Sequence, residues 1–386
     1  MRGSRLGQYL RKCRLESRLS LRQVERLSEK YPEKVANSYL SGCERGRLIP
    51  SLRKLLVLAA IYHQPVQRLL DELELDLCHG PAPETSDPDE LRRLGIHEAQ
   101  TGDLGRALAC FRKRRELLDS ESSPLPSDRS AEIRMDVAVV LKRLGKFRPA
   151  REEIEGCLRI PELSSRTLVR CLDLLAGVER EMGSLRLARL HSAEAGRLAR
   201  EIGDPLVLAH TENTLGNILF HSGDPGAAFS HYEAALSTFE AAADWRSSAV
   251  TASNLGNCLI RIGKPEDGIR WLEKALQIAR ERGFRNLAAD TLACLARGYF
   301  KKGNLDRATD LAYESIGLAR EGEYFDVLFT AYYYLWRVAR RRRLPLEEKR
   351  LLKSLRYFRT KVEGRSPETE SFDEQLSRPG REDRDA

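Results

Sequence analysis

Two side-chain types carry most of the chemistry open to this chain, and neither is a nucleophile or a metal ligand. Arginine offers a planar fork of donors that fits a phosphate or a carboxylate. Asparagine both donates and accepts, so it can hold a peptide backbone whatever the side chains beside it. Lys and Arg number 65 against 57 Asp and Glu, a net charge of +8. The excess is not spread evenly. Residues 1–75 hold 15 basic and 8 acidic side chains, and the rest of the chain is within one charge of neutral. That asymmetry implies a polyanion-binding head on a near-neutral body. Gly-x-Gly-x-x-Gly, P-loop, Gly-x-Ser-x-Gly and His-Glu-x-x-His patterns are absent, and the seven His are scattered. The sequence therefore offers no catalytic residue, no metal site and no cofactor, and an enzyme is the weakest reading. The eight Cys lack a Cys-x-x-Cys pair and fall mostly at helical apolar positions. They read as reduced, buried thiols of a cytoplasmic protein. No apolar run reaches the roughly 18 residues of a membrane span, and the N-terminus lacks the apolar core of a signal peptide.

The basic head must be held by short helices. Leu6, Leu10 and Arg14 lie on one face of a first helix ending near Ser17. Ser20 with Gln23 three residues later forms a capping box for a second, continued by Val24 and Leu27. A third helix reads from Val35 to Gly46, an apolar fourth from Leu55 to Ile61, and a last turn carries Val66, Leu69 and Leu70.

This constellation resembles the Cro/repressor-like (XRE) helix-turn-helix domain. The resemblance implies that the second helix crosses the DNA backbone while the third lies in the major groove. Carried over by position, Asn37, Ser38 and Tyr39 would face base edges, with Ser41 and Arg45 one turn on. Arg22 at the start of the second helix and Arg47 after the third would meet phosphates, and Gln23 beside Arg22 is counted with the DNA-binding residues. Two features depart from the family pattern. Leu21 stands where a Gln usually follows the capping Ser, and the turn from Ser28 to Lys34 is about three residues longer than the common form.

The remainder repeats. Residues 213–236 and 254–276 align with Gly216 on Gly256, an offset of 40 residues. A small residue followed by Gly seven later recurs at Gly95/Gly102, Ala138/Gly145, Ala176/Gly183, Gly216/Gly223, Gly256/Gly263 and Ala296/Gly303, and degrades at Trp336/Arg343. Five residues after each turn Gly comes a second small residue: Ala107, Ala150, Ala188, Ala228, Gly268 and Ala308. Small residues in mid-helix allow close approach, and a Gly can end a helix in the left-handed conformation. Each unit reads as helix, tight turn, helix, and the fixed period signals a solenoid.

The pattern resembles the tetratricopeptide (TPR) repeat, with a period longer than its usual ~34 residues. The resemblance implies an all-α chain in which the five-helix head is followed by a right-handed superhelix of about seven hairpins. In such arrays the first helix of each pair lines a concave groove, which here would present Asn213, Asn217, Asn254, Asn257, Arg297 and Arg337. This lining suits a peptide with an acidic group or a free C-terminus. The carboxylate clamp of chaperone-binding TPR proteins is matched at Asn217 and Asn254 but not at Asn213, Asp290 and Cys294, which argues against that clamp. An alternative stays open, that the Asn residues only bridge neighbouring repeats. Tyr332–Trp336 reads as packing for the last hairpin.

Domain boundaries follow from composition: a DNA-binding domain over 1–76, a Pro-rich acidic linker over 77–90, the array over 91–362 and a disordered tail over 363–386. Head-plus-array order resembles bacterial peptide-sensing regulators. The expectation is a sequence-specific, double-stranded-DNA-binding transcriptional regulator whose array binds a peptide or protein and mediates homodimerisation. The competing reading is a TPR scaffold, or an antitoxin- or phage-type repressor without ligand sensing.

Overall fold

The computed structural model describes residues 5–77, 83–120, 125–322, 324–362, 364 and 366–377. Among them all regular structure is helical. Two compact units divide the chain at Pro83 and Glu84.

The first unit holds α1 (Arg5–Glu16), α2 (Leu21–Ser28), α3 (Asn37–Glu44), α4 (Leu52–Ile61) and α5 (Val66–Leu77). Leu6, Leu10, Val24, Val35, Leu40, Leu55, Leu58 and Leu69 form its core, each 2% exposed or less. Gly7 lets α1 lie against α3, since a methyl there would overlap the Cys43 carbonyl oxygen. Arg14 locks that crossing with Nε and Nη2 on the Glu44 carboxylate at 2.6 and 2.8 Å, and Nη1 on the Leu19 carbonyl. Ser20 caps α2 with the reciprocal Gln23 bond that the capping box requires.

The second unit opens with α6 (Pro88–Thr101), α7 (Leu104–Asp119), α8 (Ser127–Arg143) and α9 (Phe147–Leu158). It continues through α10 (Ser165–Glu181), α11 (Leu185–Ile202), α12 (Pro205–His221), α13 (Pro225–Ala241), α14 (Trp245–Arg261) and α15 (Pro265–Glu281). It closes with α16 (Arg285–Lys302), α17 (Leu305–Glu321), α18 (Phe325–Arg341), α19 (Pro345–Arg359) and α20 (Pro367–Ser377). The helices α6 to α19 pair as seven hairpins. From α10 to α19 a new helix starts every twenty residues, so the sequence period of 40 is one hairpin.

Each hairpin closes where small residues meet. Ala107, Ala150, Ala188 and Ala228 are fully buried and Ala308 is 1% exposed. At Gly256 and Gly268 two glycines face each other, and a methyl on Gly256 would stand 2.7 Å from the Gly268 carbonyl oxygen. Turn glycines 183, 223, 263 and 303 all take positive φ. Arg343, where the pattern degrades, takes the same left-handed conformation at φ 56°.

Two boundaries are corrected. Part of the expected disordered tail is the helix α20, whose Glu368, Thr369 and Phe372 are buried. Its composition is polar because it is short and uses a single face. Phe372 reaches between Phe329 and Trp336, which a count of apolar residues cannot reveal. The array also begins at Pro88, capped by Asp87, rather than at 91. Residues 78–82 of the expected linker and 378–386 of the expected tail lie outside the described residues.

Candidate functional sites

In the head, α3 starts at Asn37 rather than Val35, because Val35 is a buried anchor. Its amide donates to the Ser28 hydroxyl at 2.9 Å, and that hydroxyl donates back to the Glu25 carbonyl. Ser28 thereby ends α2 and fixes the long turn that follows. Asn37, Ser41 and Arg45 stand four residues apart on one face, beside the exposed Ser38. Arg45 Nη2 donates to Ser41 Oγ at 2.6 Å. Arg22, Gln23 and Arg47 are exposed, and neither Arg22 nor Arg47 makes an ion pair among the described residues. Gln23 spends its carbonyl oxygen on the Ser20 amide. Tyr39, half-exposed on α3, also has a structural role. Its ring lies under Lys54 Nζ at 3.7 Å and its hydroxyl donates to the Ile49 carbonyl, so it braces the start of α4.

In the array, α10, α12, α14, α16 and α18 lie side by side as the first helices of their hairpins. Their polar residues line up as a ladder of separate hydrogen-bonded rungs. Thr251 and Asn254 donate to Asn213 Oδ1 at 3.1 and 3.4 Å. Asn254 Nδ2 and the Tyr232 hydroxyl meet at Asn217 Oδ1, 3.2 and 2.8 Å away. Asn257 donates to Cys294 Sγ and accepts from Arg297 Nη2 at 2.9 Å. The asparagines thus do bridge neighbouring repeats. Each still keeps capacity: Asn213 Nδ2, Asn217 Nδ2 and Asn254 Oδ1 have no partner among the described residues. Two donors and one acceptor at half-buried positions match the needs of an extended peptide backbone.

Arg297 and Arg337 are placed differently from each other. Arg297 is 15% exposed and its Nη1 donates to Glu368 Oε1 of α20 at 2.8 Å. Arg337 lies over the Phe300 ring at 5.0 Å and donates to the Tyr333 hydroxyl. Tyr332 to Trp336 are all buried, which is the packing role expected of them.

The ladder extends further toward the N-terminus than the motif reading reached. Asp173 occupies the position forty residues before Asn213. Enclosure by protein pushes its carboxyl up to about 7, against the pull of the Thr214 hydroxyl and Lys142. His221 accepts from Arg180 Nη1 at 2.8 Å; burial, then Arg180, Arg261 and Arg297, hold it neutral by lowering it to about 3. The 40-residue offset applied backward from Asn213 would have found Asp173. Among the described residues no group of His, Cys, Asp and Glu could hold a metal ion, and no helix is long and apolar enough to cross a membrane.

Residues 5–73 match a family model described as a helix-turn-helix domain, and residues 247–321, covering α14 to α17, match one described as a tetratricopeptide repeat. The chain is thus a helix-turn-helix head followed by a TPR-type array. No curated protein matches it. Among solved structures it is similar to a Rap protein complexed with competence and sporulation factor, at 16% identity over 92% of this chain and 96% of that one, TM-score 0.60. It is also similar to the Rap conjugation gene regulator of the plasmid pLS20 in complex with the Phr* peptide, at 15% identity over 94% and 97%, TM-score 0.61. The apo form of RapI aligns at 14% identity over 71% of this chain and 98% of that one, TM-score 0.53. At such identities the likeness is one of fold.

Proposed function

We propose that this chain is a sequence-specific DNA-binding transcriptional regulator whose array binds a peptide or protein and joins two copies. The observation that carries the reading is the exposed edge of α3. Asn37, Ser38, Ser41 and Arg45 all keep some exposure there, and Arg22 at the start of α2 and Arg47 after α3 are exposed cations with no ion pair among the described residues, in the part of the chain that holds nearly all the net charge. Short polar side chains on such a helix can reach base edges, while the flanking arginines hold phosphates. One such head covers one half-site, so a dimer is expected. The array reading is supported by the uncommitted amide groups of Asn213, Asn217 and Asn254, and by the peptide named in the pLS20 regulator complex.

Selection of duplex sites from a random pool, followed by titration at several salt concentrations, tests the proposal. Each arginine that meets a phosphate contributes about 0.9 to the slope of log affinity against log salt. Replacing Arg22 and Arg47 by Ala together should flatten the slope by roughly 2 on that scale, and adding Arg45→Ala should abolish enrichment of a specific site. Unchanged slope and enrichment would overturn the reading and favour a scaffold that uses its head for protein contacts.

A further inference from the structure

The C-terminal end of the array's polar ladder is occupied, and by the chain itself. Glu368, Ser371, Phe372 and Gln375 stand at i, i+3, i+4 and i+7, one face of α20. Each has a partner on the first helices. Glu368 Oε1 accepts from Arg297 Nη1 at 2.8 Å and from the Tyr334 hydroxyl at 2.9 Å. Ser371 accepts from the Tyr333 hydroxyl at 2.9 Å, and Gln375 from Arg340 Nη1 at 2.9 Å. Phe372, fully buried, meets Phe329 and Trp336 edge to face, with centroids 5.6 and 5.8 Å away. The receiving surface therefore has a carboxylate point, a hydroxyl point and an aromatic slot, continuous with the Asn257–Arg297 rung.

Two features mark α20 as an occupant rather than a permanent part of the wall. It is 11 residues long, and a helix that short is marginal without its docking contacts. It also leaves the site incompletely used, because Arg297 Nε and Trp336 Nε1 are buried without partners. Outside the site Asp373 pairs with Arg359 at the exposed rim. A carboxylate that forks onto Arg297 would satisfy more of the guanidinium than Glu368 does.

We propose that Arg297, Tyr334 and the Phe329–Trp336 slot form a binding site for an acidic peptide with an aromatic residue one helical turn after its carboxylate. α20 is the built-in occupant of that site, and an external peptide enters by displacing it. The proposal rests on the array's inner face being a ligand surface, and it names the chemistry of the ligand and its competitor.

The test uses the full chain and a labelled synthetic peptide copying residues 366–377. In the double variant Glu368→Gln, Phe372→Ala, α20 is released, and amide exchange over 367–377 should rise at least tenfold while α12 to α16 keep their protection. That variant should bind the peptide at least tenfold more tightly than the native chain does. Adding Arg297→Gln should remove the binding. Equal affinity for the native and released chains, no binding to the released chain, or native α20 amides that exchange only with those of α18 would overturn the proposal. The last result would make α20 a fixed cap on the solenoid. Because the titration contains no DNA, parallel duplex binding by the same variants separates failure here from failure of the regulator reading.

Discussion

The Tyr324 hydroxyl donates to the Thr101 carbonyl oxygen, across 223 positions of sequence. Tyr324 ends the turn before α18, and Thr101 ends α6, so the array coils far enough for its last hairpin to meet its first. Gly102 makes room for the contact, since a methyl there would overlap the hydroxyl, and its φ of 111° suits only glycine. Arg143 on α8 donates through Nη1 to the Ala99 carbonyl, which ties the first two hairpins together beside that contact. An open solenoid has neighbour contacts only, so its ends fray first. Here the ends support each other. Tyr324→Phe should cost about 1 kcal/mol, and Gly102→Ala more than that. Both should raise amide exchange in α6 selectively, measured by mass spectrometry, and uniform protection in the variants would refute the closure.

Two helical glycines, one at a hairpin contact and one in the open, should respond oppositely to alanine. Gly256→Ala sets a methyl against the Gly268 carbonyl oxygen and Leu272, and backbone cannot yield there. A loss of about 1–3 kcal/mol is expected in urea titration. Gly317, exposed in the middle of α17 with open space around it, should gain about 1 kcal/mol as alanine through helix propensity alone. A similar response at both sites would contradict the close packing of α14 on α15.

Five non-glycine residues among those described take positive φ, and two of them, Ala243 and Arg343, stand where other hairpin turns have Gly. Ala243 has φ 53° and Arg343 has φ 56°, while turns at 223, 263 and 303 have Gly. The left-handed region costs a residue with a Cβ roughly 1–2 kcal/mol. Ala243→Gly and Arg343→Gly should each therefore raise stability by about 1 kcal/mol, visible as a higher melting temperature. A fall in both would show that those turns are held by side-chain contacts instead.

Asp173 should give the array a pH signature. Its carboxyl lies near 7 when folded and about 3.9 when unfolded. Between these values the folded chain holds a proton that the unfolded chain has released. Stability therefore falls as pH rises from about 4 to about 7, and Asp173 adds no further change above that. Asp173→Asn, melted from pH 5 to pH 8, should gain on the native chain as pH rises. A constant difference between the two would place the carboxyl at its ordinary value.

The head was readable because its signals are local: a capping box at Ser20 and Gln23, apolar spacing at Leu6 and Leu10, and charge confined to one segment. The hairpins were readable because stacking demands small residues at fixed intervals, and a period leaves a trace that needs no partner to be seen. Even the degraded turn at Arg343 keeps the rhythm. What escaped was every contact between residues far apart in the chain. Gly7 looked like any glycine until α3 lay across it, and nothing in the sequence placed Lys54 over the Tyr39 ring. Residues 367–377 read as a solvated tail, because one aromatic and one carboxylate carry too little pattern to announce a helix. Only the coiling of the array brings Arg297, Tyr334 and Trp336 into one place where Phe372 and Glu368 can be buried together. Sequence determined the repeating unit, since local backbone and packing rules act within about forty residues. Tertiary structure decided what the units enclose, because that depends on distances the chain sets only after it has folded.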